Sequence, residues 1–452
     1  MITRRCMPLA PLLALAISAA HAQPQPAPAL PTTRVLNCTT SGCHAKQQNY
    51  PFLHGPNAVQ ACDACHEYVD PAKHTFQMKR PGRNLCDFCH IDKTGTEGTF
   101  VHDPVAKGEC ATCHDPHGGT TRKLLKNDSI VQLCTQCHKT VNSAAHIHKP
   151  AQEDCRLCHK PHTADHEKLL ILDRRALCLK CHEDVGRSID AASFHHEPVN
   201  GDCLQCHTAH STDQVKALKM PAVELCASCH KETYDKAMAA KHKHAAVSDT
   251  RACLNCHLPH GADHSKLLAK DPTSSCLACH DKPIKLDDPK ARPIAAMKEL
   301  ALDTFHKHAP VEKGDCAACH TVHGGEQTDL LVAPYSTAFY QQFTDDAYAL
   351  CFKCHDKQLA LAPTTQTATS FRNADQNLHY LHVVKSGPQG RSCRACHTTH
   401  LARNPKQVGE KVPFGEWEIP INFQVTPTGG SCAPGCHKPA KYDHTAAPAE
   451  SK

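Results

Sequence analysis

Residues 155–182 read Cys155-RLCHKPHTADHEKLLILDRRALCLKC-His182, with a C-x-x-C-H motif at each end. Between the two lie a further histidine three residues past the first motif (His162), a Leu-Leu pair (Leu169-Leu170) and a stretch without turn-forming Gly. The same sentence recurs from Cys110, Cys203 and Cys253, and each copy is preceded by a histidine: His102-DPV, His148-KPA, His196-EPV and His244-AAV. A repeat at a fixed period marks an array of supersecondary units rather than a single wrapped core.

The motif accounts for almost every cysteine. The chain has 31 of them, and all but Cys6 fall in fifteen pairs that are each followed by His. Thirteen are C-x-x-C-H: Cys62-Cys65-His66, Cys86-Cys89-His90, Cys110-Cys113-His114, Cys134-Cys137-His138, Cys155-Cys158-His159, Cys178-Cys181-His182, Cys203-Cys206-His207, Cys226-Cys229-His230, Cys253-Cys256-His257, Cys276-Cys279-His280, Cys316-Cys319-His320, Cys351-Cys354-His355 and Cys393-Cys396-His397. The outer two are looser, Cys38-TTSG-Cys43-His44 and Cys432-APG-Cys436-His437. Two thiols about one helical turn apart can add across the two vinyl groups of one haem, and the adjoining His then sits under the iron as proximal ligand. A disulfide framework has no use for a His at every second Cys. Structural zinc takes four ligands per metal and no obligate C-x-x-C-H. The expected cofactor is therefore haem c, about fifteen per chain, all covalently attached.

A second histidine for each iron is expected from the repeat. His54 lies ahead of Cys62 as the others lie ahead of their blocks, and the intervals His54 to His102 to His148 to His196 to His244 are 48, 46, 48 and 48 residues. Later units stretch to 64 (His244 to His308) and 74 (His308 to His382). The residue three past the first motif is His117, His162, His210, His260, His323 or His400, with His74 taking that role in the first unit. These fourteen candidates serve fourteen haems. The expectation is that the histidine after the first motif serves the second haem of its own block, so that His117 ligates at Cys134-Cys137-His138, and that the upstream histidine serves the first haem. The haem at Cys38 is left over, and His444, the last histidine, or a histidine of another chain is the candidate for it. His146, His166, His195, His242, His264, His306 and His379 stand beside better-aligned histidines and are expected to lie outside the ligand set. With every iron holding two imidazoles, no site is open to substrate. Catalytic residues are expected to be none.

This pattern resembles the doubled-CxxCH multihaem c-type cytochrome family over roughly residues 38–437, and it is also similar to the decahaem conduits that sit inside outer-membrane porins. The resemblance implies low-potential bis-His haems in an elongated chain of close-packed macrocycles. It further implies redox-protein donors and acceptors as partners, with an outer-membrane porin and an extracellular cytochrome among the possibilities.

Composition agrees with a cofactor-filled interior. Aromatics are 5% of 452 residues, with a single Trp. So little apolar bulk cannot build ordinary cores, and each haem is expected to be the core, wrapped by short helices and turns with very little strand. The fold expected is mostly irregular, with two-haem repeats over 36–284 (eleven haems), a linker over 285–304 with a helix from about Pro293 to Asp303, stretched repeats over 305–445 (four haems) and a tail at 446–452. Residues 401–431, around Trp417, are the one stretch suggesting strand. The Leu pairs are expected to pack on haem faces.

Residues 1–22 read as a secretory leader: Arg4 and Arg5, an apolar run from Pro8 to Ala20, then Ala20-His21-Ala22. Residues 23–35 form a Pro-rich tether. Export to the periplasm, the outer membrane or the cell exterior is expected, without a membrane span. The formal charge of +5 is outweighed by thirty haem propionates, which excludes a nucleic-acid reading of the basic balance. The function expected is an electron conduit rather than an enzyme. A reductase with one open haem, or a polymerising filament, would need one unsaturated iron.

Overall fold

Secondary structure in this protein comes in pieces of one or two turns, each placed by a cysteine motif. In the computed structural model residues 38–39, 43–91, 98–286, 293–302 and 304–447 are described, so the leader and tether at 1–35 and the tail at 448–452 lie outside the described residues. Contacts group the chain into two units, Met1–Gly95 with Asp103–Ser129, and Thr96–His102 with Ile130–Lys452.

The first motif of a block forms a single 3₁₀ turn, as at Cys62–Ala64, Cys110–Thr112, Cys155–Leu157, Cys203–Gln205, Cys316–Ala318 and Cys393–Ala395. Asp154, Asp202 and Asp315 cap three of these turns by accepting a backbone N–H two or three residues on. The second motif begins on a short α-helix: Asn84–Asp87, Ile130–Thr135, Arg174–Leu179, Ala222–Cys229, Pro272–His280 or Ala349–Phe352. Asp173 and Asp271 cap two of them.

Strands are mostly two residues long and recur with one logic. The pair just before an upstream histidine lies antiparallel to the pair just after the x-x-H histidine of the next block: Phe52–Leu53 with Gly118–Gly119, Phe100–Val101 with Thr163–Ala164, His146–Ile147 with Ser211–Thr212, Phe194–His195 with Gly261–Ala262, His242–Lys243 with Gly324–Gly325, and His306–Lys307 with Leu401–Ala402. Each block is thus stitched to the block that follows it. Small residues make this possible: a Cβ added to Gly261 would stand 2.9 Å from Ala192 Cβ, and Ala164, Ala262 and Ala402 are buried.

The buried apolar residues among the described residues are few and mostly alanine. Protein alone does not make the interior. The exception is a small cluster of Tyr348, Ala360 and Val383 near the C-terminal motifs, flanked by Phe343 and Phe352.

One sequence expectation is corrected by the fold and another is met. The helix expected from Pro293 to Asp303 reduces, within the described residues, to one turn at Lys298–Ala301, preceded by a bridge between Ile284 and Ile294. Residues 401–431 do carry strand, as the hairpin Lys411–Phe414 with Trp417–Pro420 and as part of a three-stranded sheet, Gln424–Thr426, Gly429–Cys432 and Ala440–Asp443.

Candidate functional site: facing histidines along the motif array

Each motif turn presents its chemistry on one side. The backbone N–H of the motif histidine bonds the carbonyl of the first cysteine (His90 to Cys86 at 2.9 Å, His159 to Cys155 at 2.9 Å, His320 to Cys316 at 3.0 Å), so both thiols and the imidazole leave one turn of chain. None of the thirty described cysteines is paired in a disulfide. Thiols of consecutive motifs also meet. First cysteines share hydrogen bonds across block boundaries, Cys38 with Cys62, Cys86 with Cys110, Cys178 with Cys203, Cys226 with Cys253, Cys276 with Cys316 and Cys351 with Cys393. Inside blocks, burial and the proximity of Cys89, Cys181, Cys229, Cys279 and Cys354 raise the thiols of Cys65, Cys158, Cys206, Cys256 and Cys319. Successive attachment motifs therefore stand beside one another from Cys38 to Cys110 and from Cys155 to Cys393.

A second imidazole faces the motif histidine. In the first unit the pairs are His44 with His74 (6.1 Å between ring centroids), His90 with His54 (5.9 Å) and His66 with His117 (6.2 Å). In the second they are His138 with His102 (6.2 Å), His182 with His148 (6.1 Å), His159 with His210 (6.0 Å), His230 with His196 (6.0 Å), His207 with His260 (6.1 Å), His280 with His244 (6.2 Å), His257 with His323 (6.3 Å), His355 with His308 (6.1 Å), His320 with His400 (6.1 Å), His397 with His379 (6.3 Å) and His437 with His382 (6.5 Å). Bonds of about 2 Å from one metal to an imidazole on either side put the two ring centroids about 6 Å apart. At His114 and His162 the local contacts of the repeat recur: His114 Nδ1 bonds the Lys123 carbonyl, and the His162 carbonyl accepts the His102 N–H.

Backbone carbonyls fix the tautomer. The upstream histidine donates Nδ1–H to a residue just before the x-x-H histidine of the next block: His54 to Pro116, His102 to Pro161, His148 to Ala209, His196 to Pro259 and His244 to Val322, at 2.8–2.9 Å. From the Cys155 block onward the proximal histidine of the first motif donates to a residue nine positions on: His159 to Lys168, His207 to Lys216, His257 to Lys266, His320 to Asp329 and His397 to Lys406. Those acceptors sit at φ between +55° and +59°, and the residue after each is also left-handed (Leu169, Ala217, Leu267, Leu330, Gln407). Two successive left-handed residues cost about 1–2 kcal/mol each, and they aim the carbonyl at Nδ1. The Leu pairs, expected to cover haem faces, thus have a backbone role: the first Leu makes the left-handed turn, and the second (Leu170, Leu268, Leu331) bridges the motif histidine. Nδ1 being held by a carbonyl leaves Nε2 for the iron.

Several of the imidazoles are biased toward the neutral form, as metal ligation requires. Burial first, then neighbouring imidazoles, lowers His66, His210, His260, His280, His308, His323 and His400. His379 is pushed down to about 3 by burial and by His397 and His382. Two thiols and a proximal imidazole on one turn, with a neutral imidazole opposite, fit haem c. Zinc is a poor fit, since no three His, Cys, Asp or Glu converge among the described residues.

The pairing differs from the sequence expectation in two respects. First, the assignment is reversed. The upstream histidine faces the second motif of its own block (His102 with His138), while the x-x-H histidine faces the first motif of the preceding block (His117 with His66, not His138). Intervals alone cannot tell these alternatives apart; the two-residue strand pairs decide between them. Second, His444 faces no imidazole among the described residues; its Nδ1 is buried without a hydrogen-bond partner, and its carbonyl accepts from Arg372. His74 stands opposite His44 instead, and His379, set aside in the sequence, stands opposite His397. The signal was available as His379-x-x-His382, two imidazoles one helical turn apart on Leu378–Val383. Asn377, fully buried, holds that helix by accepting from His379 N and Tyr380 N and donating to the Leu359 and Ala362 carbonyls. His146, His195, His242 and His306 occupy the connecting strands, and His166 and His264 bridge Leu170 and Leu268.

Repeated Cys-Cys-His motifs, fourteen of them with a facing imidazole among the described residues, define a multihaem c-type cytochrome. The doubled CXXCH motif model matches five times, at residues 102–143, 148–187, 196–234, 244–285 and 308–360, each match opening on an upstream histidine. The chain belongs to that doubled-CXXCH family of electron-transfer proteins. No curated protein matches it.

Proposed function

We propose that the chain carries fifteen haems, each between two histidines, and conducts electrons along them without performing substrate chemistry. The observation that carries this reading is the set of fourteen facing imidazole pairs at 5.9–6.5 Å among the described residues. Haem supplies reversible one-electron iron chemistry, and iron saturated by two imidazoles exchanges electrons with little rearrangement. The chain's own residues do the rest. Cysteines fix position, carbonyls on Nδ1 fix ring orientation, and contacts between successive motifs keep attachment sites adjacent.

The ligand for the haem at Cys38-Cys43-His44 is His74, and His444 is not a ligand. Export follows from residues 1–22, and among the described residues no helix is long and apolar enough to cross a membrane. Partners are redox proteins at either end of the array, with an outer-membrane porin and an extracellular cytochrome compatible with this architecture.

Mass and spectroscopy test the reading together. The mature holoprotein should exceed its polypeptide mass by fifteen haems, its ferric spectrum should be low-spin throughout, and the reduced protein should bind no carbon monoxide. Binding near one per fifteen haems would overturn the conduit reading in favour of a reductase with one open iron.

A further inference from the structure

One of the facing histidines differs from its repeat counterparts. His117 donates from Nδ1 to the Asp115 carboxylate, Oδ1 at 3.2 Å, and the same oxygen accepts the His117 backbone N–H at 3.0 Å. The other carboxylate oxygen accepts the Tyr50 hydroxyl at 2.9 Å. In the other blocks with an x-x-H histidine the position of Asp115 is Lys160, Thr208, Leu258, Thr321 or Thr398, so among these only this block supplies a carboxylate. Tyr50 is held in place by close packing on Gly118, where an added Cβ would fall 2.5 Å from the tyrosine ring. Other facing histidines hold uncharged partners on Nδ1: backbone carbonyls for His54, His102, His148, His196, His244 and His382, and the Thr369 hydroxyl for His379.

A carboxylate on the outer nitrogen makes an imidazole more anionic and a stronger donor to its metal, which favours the ferric over the ferrous state. We propose that Asp115, tempered by Tyr50, sets the potential of the haem at Cys62-Cys65-His66 below that of the equivalent haems in the other blocks. Both are positioning residues, and the inference rests on His66 and His117 sharing one iron. The consequence concerns passage along the array. Cys62 contacts Cys38 and Cys65 neighbours Cys89, so this haem stands between the first motif and the third. Transfer of one electron to this haem from the ferrous haem of a neighbouring motif, which would leave that iron ferric and this one ferrous, is the uphill step for electrons entering or leaving by the first motif.

Redox titration of purified holoprotein tests this through three variants. Asp115→Asn should move one haem's share of the titrated absorbance to higher potential while the spectrum stays low-spin. Tyr50→Phe should move the same share in the opposite direction, because a carboxylate relieved of the tyrosine bond accepts more strongly from His117; a merely structural role would not give opposite signs. His117→Ala should turn one haem high-spin. If it does while Asp115→Asn leaves every potential in place, the inference is overturned and the ligand assignment stands. If His117→Ala stays wholly low-spin, both are overturned.

Discussion

The repeats between His102 and residue 360 and the C-terminal stretch from Arg372 to Asp443 solve the same coordination problem in different ways. In the repeats, a first-motif histidine such as His159 or His207 meets an imidazole belonging to the next block, delivered by a two-residue strand pair. Past the Cys393 and Cys432 motifs no further block stands among the described residues. One helix, Leu378–Val383, supplies both facing histidines, His382 for the last motif and His379 for the one before it. The N-terminal end mirrors this with His74, at φ +52° in the turn of the hairpin His66–Asp70 with Thr75–Met78, opposite His44. The comparison teaches that the ligand set runs one unit out of step with the sequence repeat, and that both termini need purpose-built closures, as the ends of repeat arrays generally do.

The out-of-step arrangement can be broken most directly at His210. His210→Ala should make the haem at Cys155-Cys158-His159 high-spin and leave Cys226-Cys229-His230 low-spin. Removing Cys155 and Cys158 as well should abolish the high-spin signal and one haem's mass; if instead removing Cys226 and Cys229 abolishes it, the order of pairing is wrong.

The C-terminal closure gives the next effect. His379→Ala should yield one high-spin haem, with carbon monoxide binding to the reduced protein at one site, whereas His444→Ala should leave the spectrum low-spin. The reverse result would return His444 to the ligand set. A smaller change is expected at Asn377, whose side chain makes four hydrogen bonds inside the closure. Asn377→Ala should cost about 2 kcal/mol by leaving buried carbonyls unpaired, measurable as a shifted denaturant midpoint.

The smallest effect belongs to the repeats. Asp202 caps the turn Cys203–Gln205 and pairs with Arg174; burial opposes ionisation, but the Leu204 N–H and Arg174 outweigh it and hold the carboxyl below its ordinary value. Asp202→Ala should cost about 1 kcal/mol at neutral pH. A depressed carboxyl contributes stability above its unfolded pKa and loses it as pH falls through the folded value. The penalty of the substitution should therefore shrink below about pH 4, and a penalty that persists unchanged into acid would show that the charge is not involved.

The sequence was most legible where chemistry dictates spacing. Two cysteines and a histidine on one turn can be read without a structure, and so can the absence of an ordinary core. Facing histidines were legible as positions, because the repeat marks them, but not as partners. His102 serves His138 and His117 serves His66 through strand pairs of two residues, too short to leave a period in the sequence. His379 was obscured by His382 beside it. The left-handed Lys168-Leu169 and its equivalents were invisible, since nothing in Lys or Leu announces a positive φ, and only the need to place a carbonyl against His159 explains it.

The offset between repeat and ligand set also governs how such a molecule can grow. Because each block borrows from its successor and lends to its predecessor, a whole block can be spliced in or removed and every iron still finds a partner, provided the two closures are kept. A cut anywhere in the array strands one iron at the break. Wire length is thus an adjustable dimension of this architecture, set by copy number alone, while its ends are fixed parts.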